Sequence, residues 1–237
     1  MNEGEGGRIV AIHQPNFMPW LGYFDKLARA DVLVLLDDVQ FQKKAAGTWT
    51  NRTQLIVGGE PAWITAPIVR TFHGVRAVNE MRINDSERWR KKALRTIEQN
   101  YRRAPFFDDA LPIVDEVLRL DTDHLAEYNE SGIRRIAEAI GLDSDKLVRS
   151  SALGASSTGT DRLIDLTRLA GGTAYLAGDG AGGYQEDEKF AAGGIALRRQ
   201  QFEHPRYPQL SDSWHPGMSI LDALMNCGFA GTRELLT

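Results

Sequence analysis

The sequence predicts an α/β fold with a mostly parallel central sheet, an antiparallel extension and a helical insertion in the middle third. The N-terminal third begins as strand, helix, strand and then becomes β-rich, three helical stretches follow, and the last third returns to alternating helices and strands. The chain has 237 residues, 42% of them hydrophobic, which is enough for a sizeable core. We expect a disordered tail over residues 1–7, a single α/β domain over 8–237, and a helical insertion or lid over 84–142.

The first elements predict a βαβ unit. Arg8 to His13 has the pattern of a buried strand, Trp20 to Arg29 that of an amphipathic helix, and Val32 to Leu36 that of a second buried strand. A crossover helix between two strands makes them parallel. Polar residues follow both strands, at the carboxyl edge where open parallel sheets bind ligands, namely His13 and Gln14, then Asp37, Asp38 and Gln40.

The later elements are predicted from the same signals. Thr50 to Val57 and Ala62 to Ile68 flank Gly58-Gly59-Glu60, as in a β-hairpin. Apolar spacing and end signals predict three helices next, over Ser86 to Tyr101, Phe106 to Arg119 and Asp123 to Ile140. The alternation then resumes at Val148, with helices over Asp161 to Ala170, Glu186 to Ala192 and Ser219 to Cys227, and strands over Thr173 to Ala177 and Ile195 to Gln200.

Charge and cysteine content exclude several classes of protein. The net charge is −4, with both signs mixed along the chain, so we expect no nucleic-acid partner. The start MNEGEGGR is polar, and no run reaches the roughly 18 apolar residues that span a bilayer, which predicts a cytoplasmic protein without a membrane span. The lone Cys227 excludes an internal disulfide and fits a reducing compartment. We expect neither a metal nor a cofactor.

The stretch IHQPNFMPWLGYF predicts the first wall of an active site. Pro15 and Pro19 restrict the loop between strand and helix, while Trp20 and Tyr23 offer amphipathic surfaces for a substrate. An isolated His13 would more often be structural, but in this rigid polar loop we interpret it as a general base. Gln14 and Asn226 are candidate carbonyl or oxyanion donors, and Asp37 is the expected orienter of His13.

Residues after the second strand extend this predicted site. Asp38, Gln40 and Lys43 follow it, with a solvated lysine pair as the alternative interpretation of Lys43 and its neighbour Lys44. Asn51 and Arg52 occur in WTNR, where Arg52 is the better candidate for an anion contact.

The glycine-rich stretch from Gly178 to Gly183 matches the G-x-G-x-x-G pattern of dinucleotide-binding loops. Three carboxylates open the helix that follows it, where a pyrophosphate would need a bare helix N-terminus. We therefore interpret the glycines as allowing close backbone approach to a substrate or to a neighbouring loop.

The C-terminal part repeats the logic of the opening loop. His204 and Tyr207 occur in HPRYPQ, so His204 is a candidate second acid or base. Helical geometry places Ser219, Asp222 and Asn226 within about 60° of one another, on either a polar site or a solvated face. Cys227 is then a small buried side chain, or a thiolate nucleophile activated by His13 or His204 and oriented by Asp37 or Asp222.

Several motifs together resemble the WbqC-like family over Ile9 to Leu236. They are HQPNFMPWLGYFDKLARAD, LDDVQFQKK, WTNR, STGTDRL, EDEKF, HPRYPQ and SILDALMNCG. Members of that family occur in gene clusters for O-antigen polysaccharides and secondary metabolites, and some carry the label of glycine or aminoacyl transferases. The resemblance thus implies transfer of a small acyl or aminoacyl group.

Three hypotheses follow. The first is an enzyme that moves an acyl or aminoacyl group from a thioester-type donor to an amine of a sugar or natural-product precursor. The transfer would proceed through Cys227 or by direct attack assisted by His13. Its expected partners are a small-molecule substrate and an acyl or aminoacyl carrier protein. The second rests on a fold-level resemblance to nucleotidylyltransferases, whose His-x-Gly-His helix start is replaced here by Trp20-Leu21-Gly22-Tyr23. The third is a non-catalytic binding protein of the same pathway.

Overall fold

The computed structural model describes residues 7–42, 49–71, 73–178 and 186–236. Its strands are β1 (Ile9–His13), β2 (Val32–Leu35), β3 (Arg52–Val57), β4 (Glu60–Thr65), β5 (Leu147–Arg149), β6 (Ala174–Ala177) and β7 (Ala196–Arg199). Its helices are α1 (Leu21–Arg29), α2 (Trp89–Tyr101), α3 (Phe107–Leu118), α4 (Leu125–Ala139), α5 (Ser150–Leu153), α6 (Gly159–Leu169), α7 (Asp187–Ala192) and α8 (Ile220–Glu234).

Five strands form one parallel sheet in the order β5-β2-β1-β6-β7, and β3 and β4 form a separate antiparallel hairpin. The N-terminal βαβ unit has the predicted parallel pairing, with Val10 opposite Val32 and His13 opposite Leu35. Every residue of β2 and β6 is buried, because helices cover both faces of the sheet. The predicted α/β fold with its antiparallel extension is therefore confirmed.

Alternating side chains of the sheet contribute to two cores. Ala11, Leu33, Leu35 and Leu176 join the larger core, together with residues of α1 to α4, the hairpin and α8. The smaller core lies on the other face, where the intervening residues of the strands meet α6 and α7; it contains Val10, Ile12, Val32, Val34, Ile164, Leu166, Tyr175, Ala177, Phe190 and Ile195. This division follows from the two-residue period of a strand.

The hairpin turn is made by two glycines. Gly58 and Gly59 have φ values of 64° and 87°, and Val57 is paired with Glu60. Two successive positive φ values are typical of the two-residue turn whose twist matches that of the strands. The Tyr101 hydroxyl of α2 accepts a hydrogen bond from the Ile56 backbone N–H at 2.9 Å, which ties the hairpin to the helical part.

Two predicted helix ends differ from those observed by three residues or more. The helix predicted from Ser86 begins at Trp89, because Asp85 to Glu87 form a 3-10 turn and Arg88 has left-handed backbone angles. Gly228 interrupts α8 with a φ of 70°, but the helix continues beyond it to Glu234. A Cβ at residue 228 would lie 2.8 Å from Cδ1 of Phe106, so the interruption is also a close approach to the segment before α3.

None of the helices in the described ranges is long and apolar enough to cross a membrane.

Candidate active site at the carboxyl edge of the sheet

The strand order reverses at the centre of the sheet, which marks the place where a ligand crevice is expected. From β1 the chain adds β2 and β5 on one side, then returns to add β6 and β7 on the other, so the order reverses between β1 and β6. His13 ends β1, and Gly178 directly follows β6. Ligands of open parallel sheets bind outside the carboxyl ends of the strands at such a reversal.

His13 is a neutral imidazole in this crevice. Its Nδ1 lies 3.1 Å from the backbone carbonyl oxygen of Gln14, and because a carbonyl only accepts, Nδ1 donates and Nε2 keeps its lone pair. Burial and then the positive charge of Lys26 lower the pKa of His13 to about 3, although the bond to Gln14 acts in the opposite direction. His13 is thus unprotonated at neutral pH, and its Nε2 is available as a hydrogen-bond acceptor.

Two aromatic rings enclose His13. The ring centroid of Trp20 lies 5.5 Å from that of His13 and the centroid of Tyr23 lies 4.9 Å away, both in edge-to-face arrangements. The Tyr23 hydroxyl is buried and has no hydrogen-bond partner among the described residues. Burial and the charge of Glu130 raise the pKa of Tyr23, so this hydroxyl stays protonated as a donor.

Lys26 and Gly178 belong to the site, although the sequence reasoning missed Lys26. The Lys26 side chain is buried, and its Nζ would lie 2.7 Å from a Cβ at residue 178. Any side chain other than glycine at residue 178 would therefore meet the lysine nitrogen. The available signal was helical spacing, because Lys26 follows Gly22 by four residues and Tyr23 by three and so shares their side of α1.

Hydrogen bonds from three distant segments hold the loop between β1 and α1. Asn129 of α4 donates through Nδ2 to the carbonyl oxygens of Pro15 and Thr50, at 2.9 and 2.7 Å. The Met18 residue has a φ of 45°, and its carbonyl accepts from the hydroxyls of Thr53 and Ser219, each at 2.8 Å. A non-glycine residue in left-handed conformation persists where surrounding bonds hold it, and such positions cluster at functional sites.

An aromatic row, defined as Trp20, Trp49 and Trp63, leads away from His13. The ring centroids of Trp20 and Trp49 lie 4.9 Å apart, and those of Trp49 and Trp63 lie 5.4 Å apart. The guanidinium of Arg52 stands 4.2 Å from the centroid of Trp63. These rings are partly exposed, so they offer apolar surface to a ligand.

The WbqC-like protein family matches this chain over residues 14–234. The chain belongs to the WbqC-like family. A curated relative, "Uncharacterized protein Rv1507c" of Mycobacterium tuberculosis, is 30% identical over 224 residues, which cover 92% of this chain and 94% of the relative. No solved structure matches the chain.

The structure of this WbqC-like protein brings several predicted residues together around His13. Trp20 and Tyr23 contact His13, and the Gln14 side chain accepts a hydrogen bond from the Thr50 hydroxyl at 3.2 Å. Asn51 instead donates through Nδ2 to the Ala66 carbonyl at 2.9 Å, which holds the hairpin to the following segment.

His204 lies beyond Trp20. A Cβ at Gly22 would lie 2.7 Å from Phe202 and 2.9 Å from the Trp20 indole nitrogen, and the Phe202 and His204 centroids are 5.2 Å apart. His204 accepts a hydrogen bond from the Gly217 backbone N–H through Nδ1, at 3.3 Å, and burial lowers its pKa. Trp20 and Phe202 therefore both lie close to Gly22, and Phe202 contacts His204.

The second predicted strand end forms a separate cluster, which corrects the role expected for Asp37. Its carboxylate accepts from the Ser150 hydroxyl and from the Ser151 backbone N–H and hydroxyl, at distances of 2.7 to 3.0 Å. Asp38 is bound by the Ser150 hydroxyl and by Arg162, both at 2.6 Å. Asp37 therefore holds β2 to the start of α5. The hydrogen-bond partner of the His13 ring is instead the backbone carbonyl of Gln14.

Two other predictions fall outside this site or outside the described residues. Gln40 is exposed and forms an isolated backbone bridge with Ala77. Lys43 and the glycine loop from 179 to 183 lie outside the described residues.

The polar side of α8 is internal rather than open, which corrects the roles expected for Asp222 and Asn226. Asp222 is fully buried and accepts from the hydroxyls of Tyr101 and Tyr207, both at 2.7 Å, and from Gln209 at 2.9 Å. Asn226 donates to the Asp222 backbone carbonyl at 2.8 Å. Ser219 caps α8, and its hydroxyl donates to the Met18 carbonyl as described above.

The surroundings of Cys227 favour the protonated thiol over the thiolate. Burial and then the charge of Asp222 raise its pKa, whereas an activated nucleophile needs a lowered pKa. The direction of this shift argues against the thiolate nucleophile, which stays a prediction from the sequence. In the described ranges, no group of three His, Cys, Asp or Glu is placed to hold a metal ion.

Proposed function

We propose that this WbqC-like protein is a transferase that moves a small acyl or aminoacyl group from a thioester-type donor to an amine of a sugar or natural-product precursor. The proposal rests on the position and state of His13, a neutral imidazole at the reversal of strand order. Its Nδ1 donates a hydrogen bond to the Gln14 backbone carbonyl, and its Nε2 keeps a lone pair. We propose direct transfer, since burial and Asp222 raise the pKa of Cys227 and so favour its thiol form.

In this mechanism the amine nitrogen of the acceptor attacks the thioester carbonyl carbon. Nε2 of His13 accepts a hydrogen bond from the attacking nitrogen and relays its proton to the departing sulfur as the C–S bond breaks, so that no free imidazolium accumulates beside Lys26. The products are an amide and a free thiol. The Gln14 amide nitrogen and the Tyr23 hydroxyl are the groups that we assign to stabilise the carbonyl oxygen as its charge develops.

The test measures free thiol release and intact protein mass during incubation with acyl and aminoacyl thioesters and amino sugars. His13→Asn keeps a donor near the Nδ1 position and removes the base, so we expect kcat to fall by about 10²- to 10⁴-fold. Cys227→Ala and the exposed control His73→Asn should stay within about threefold of the wild type, a change of less than 1 kcal/mol in the barrier.

Two results would contradict this proposal. A protein-bound acyl group that disappears only in Cys227→Ala would establish covalent catalysis through the thiol. Full activity of His13→Asn would remove the histidine from the mechanism. A carrier-protein donor and a cytoplasmic location remain predictions from the sequence.

Nucleotide transfer is a second candidate, favoured by one observation. Counted over the parallel strands alone, the sheet order is 3-2-1-4-5, the order of doubly wound nucleotide-binding sheets. The buried Lys26 lies in the crevice where such sheets bind phosphates. Calorimetric titration with magnesium and nucleoside triphosphates distinguishes the candidates, since binding that is lost in Lys26→Met would favour nucleotide transfer. Ligand binding without any turnover would instead favour a non-catalytic binding protein.

A further inference from the structure

We propose that the aromatic row and Arg52 form a subsite for the acceptor, and that this subsite takes a sugar ring carrying a carboxylate. The inference rests on the proposed function, because it names the acceptor class of the same site. It adds Trp49, Trp63 and Lys92 to the residues that contact substrate.

The row is a series of ring contacts that starts at His13. His13 contacts Trp20, Trp20 contacts Trp49, and Trp49 contacts Trp63, at centroid separations of 5.5, 4.9 and 5.4 Å. Trp63 is 36% exposed, although tryptophan is usually well buried. Connected, partly exposed aromatic side chains rimmed by polar groups mark ligand-binding surfaces.

The angles between the rings favour a saccharide over a flat ligand. Adjacent rings in the row are inclined by 52° and 68°, so they present no pair of parallel faces for intercalation of a planar base. A sugar ring can pack its C–H surface on one indole by dispersion while its hydroxyls point sideways to polar groups. Thr65 and Thr96 supply such hydroxyls in a groove of about 380 Å³ that Trp63 also lines.

The charges around Trp63 favour an acidic sugar. The Arg52 guanidinium lies against the Trp63 ring, and Lys92 lines the adjoining groove. Among the described residues that line this groove, none carries an acidic side chain. An arginine fork matches a carboxylate in geometry as well as in charge.

The experiment compares two probes that differ only in the carboxylate, methyl β-D-glucuronide and methyl β-D-glucoside. Their binding to the full chain is measured by saturation-transfer NMR and calorimetry, without any acyl donor. We expect Arg52→Gln to weaken glucuronide binding about tenfold and to leave glucoside binding unchanged, with Arg52→Lys retaining part of the affinity. Trp63→Ala should weaken both probes about tenfold, and the control Trp214→Phe neither.

Three outcomes would overturn the inference. One is no detectable glucuronide binding at about 10 mM, well above a millimolar Kd. Another is an affinity for the glucuronide that is unchanged in both Arg52→Gln and Trp63→Ala. The third is coenzyme A binding that both variants weaken while glucuronide binding stays intact, which would assign the row to the donor.

The outcome for this subsite is separable from that for the transferase. Glucuronide binding through Arg52 without thioester turnover would keep the subsite and remove the proposed reaction. Thioester turnover without glucuronide binding would keep the reaction and remove the subsite.

Discussion

At the scale of single residues, the active site depends on how one histidine is kept neutral. Burial lowers the pKa of His13 first and Lys26 lowers it further, so the imidazole stays unprotonated and presents Nε2 as a hydrogen-bond acceptor. Acid or base roles for His13 followed from its position after a strand and beside two prolines. Lys26 was not predictable in the same way, since an exposed lysine is the ordinary expectation for an amphipathic helix.

We expect His13→Asn to reduce the loss of stability at acid pH. The pKa of His13 is about 3 in the folded chain and near 6.5 when unfolded, so folding is fully favoured above pH 6.5 and loses stability as the pH falls towards 3. Between pH 7 and about pH 4.5, the wild type should lose roughly 2 to 3 kcal/mol more than His13→Asn. Urea unfolding at both pH values measures this, with His73→Asn as the control, and equal losses in all three proteins would refute it.

We expect Lys26→Met to raise the pKa of His13. Methionine retains the buried length of the side chain but removes the charge that lowers this pKa. NMR titration of the His13 ring protons measures the change. Lys91→Met, on the exposed part of α2, is the matched control and should leave the His13 titration where it is. An unchanged titration in Lys26→Met would show that burial alone keeps His13 neutral.

At the scale of elements, α8 shows how an amphipathic pattern can be interpreted in two ways. Helical spacing correctly grouped Ser219, Asp222 and Asn226, but a polar face can be solvated, line a pocket or dock on other polar groups. Here it docks on Tyr101 of α2 and Tyr207 of the preceding loop. The sequence could not distinguish these cases, because the partners of Asp222 lie 121 and 15 residues away along the chain.

The loss of unfolding free energy in three tyrosine-to-phenylalanine substitutions should follow the number of hydrogen bonds that each one removes. Tyr101→Phe should cost the most, about 2 to 3 kcal/mol, because its hydroxyl donates to Asp222 and accepts from Ile56 N–H. Tyr207→Phe should cost about 1 to 2 kcal/mol, since Gln209 still donates to the same carboxylate oxygen. Tyr23→Phe should cost least, because its hydroxyl has no described partner. Chemical denaturation at neutral pH gives the order, and a Tyr23→Phe loss as large as that of Tyr101→Phe would contradict it.

At the scale of the whole molecule, the helical segment over 84–142 shares the larger core with α1, the hairpin and α8. Side chains such as Trp89, Val114 and Ile133 are buried in that common core. The expectation of an insertion or lid concerns how this segment moves, and the shared core leads us to propose that it unfolds with the sheet.

We therefore expect a single cooperative unfolding transition. Far-UV circular dichroism and tryptophan fluorescence should give coincident curves. Ile133→Val in α4 and Ile164→Val in α6 truncate opposite cores, and each should shift both curves together by about 0.5 to 1.5 kcal/mol. Hydrogen exchange in 84–142 that is much faster than in the sheet would instead identify a separately opening lid.

The sequence by itself determined the βαβ opening, the parallel sheet, the two-glycine hairpin and the position of His13 at a strand end. These features depend on hydrophobic periodicity and turn chemistry, which are local properties of the chain. The tertiary structure decided what the polar side chains do. It paired Asp37 with Ser150 and Ser151, buried Asp222 among tyrosines, raised the pKa of Cys227 and brought Lys26 to His13. The physical reason is that burial, charge and hydrogen-bond partners arise from contacts between distant segments, which local periodicity does not specify.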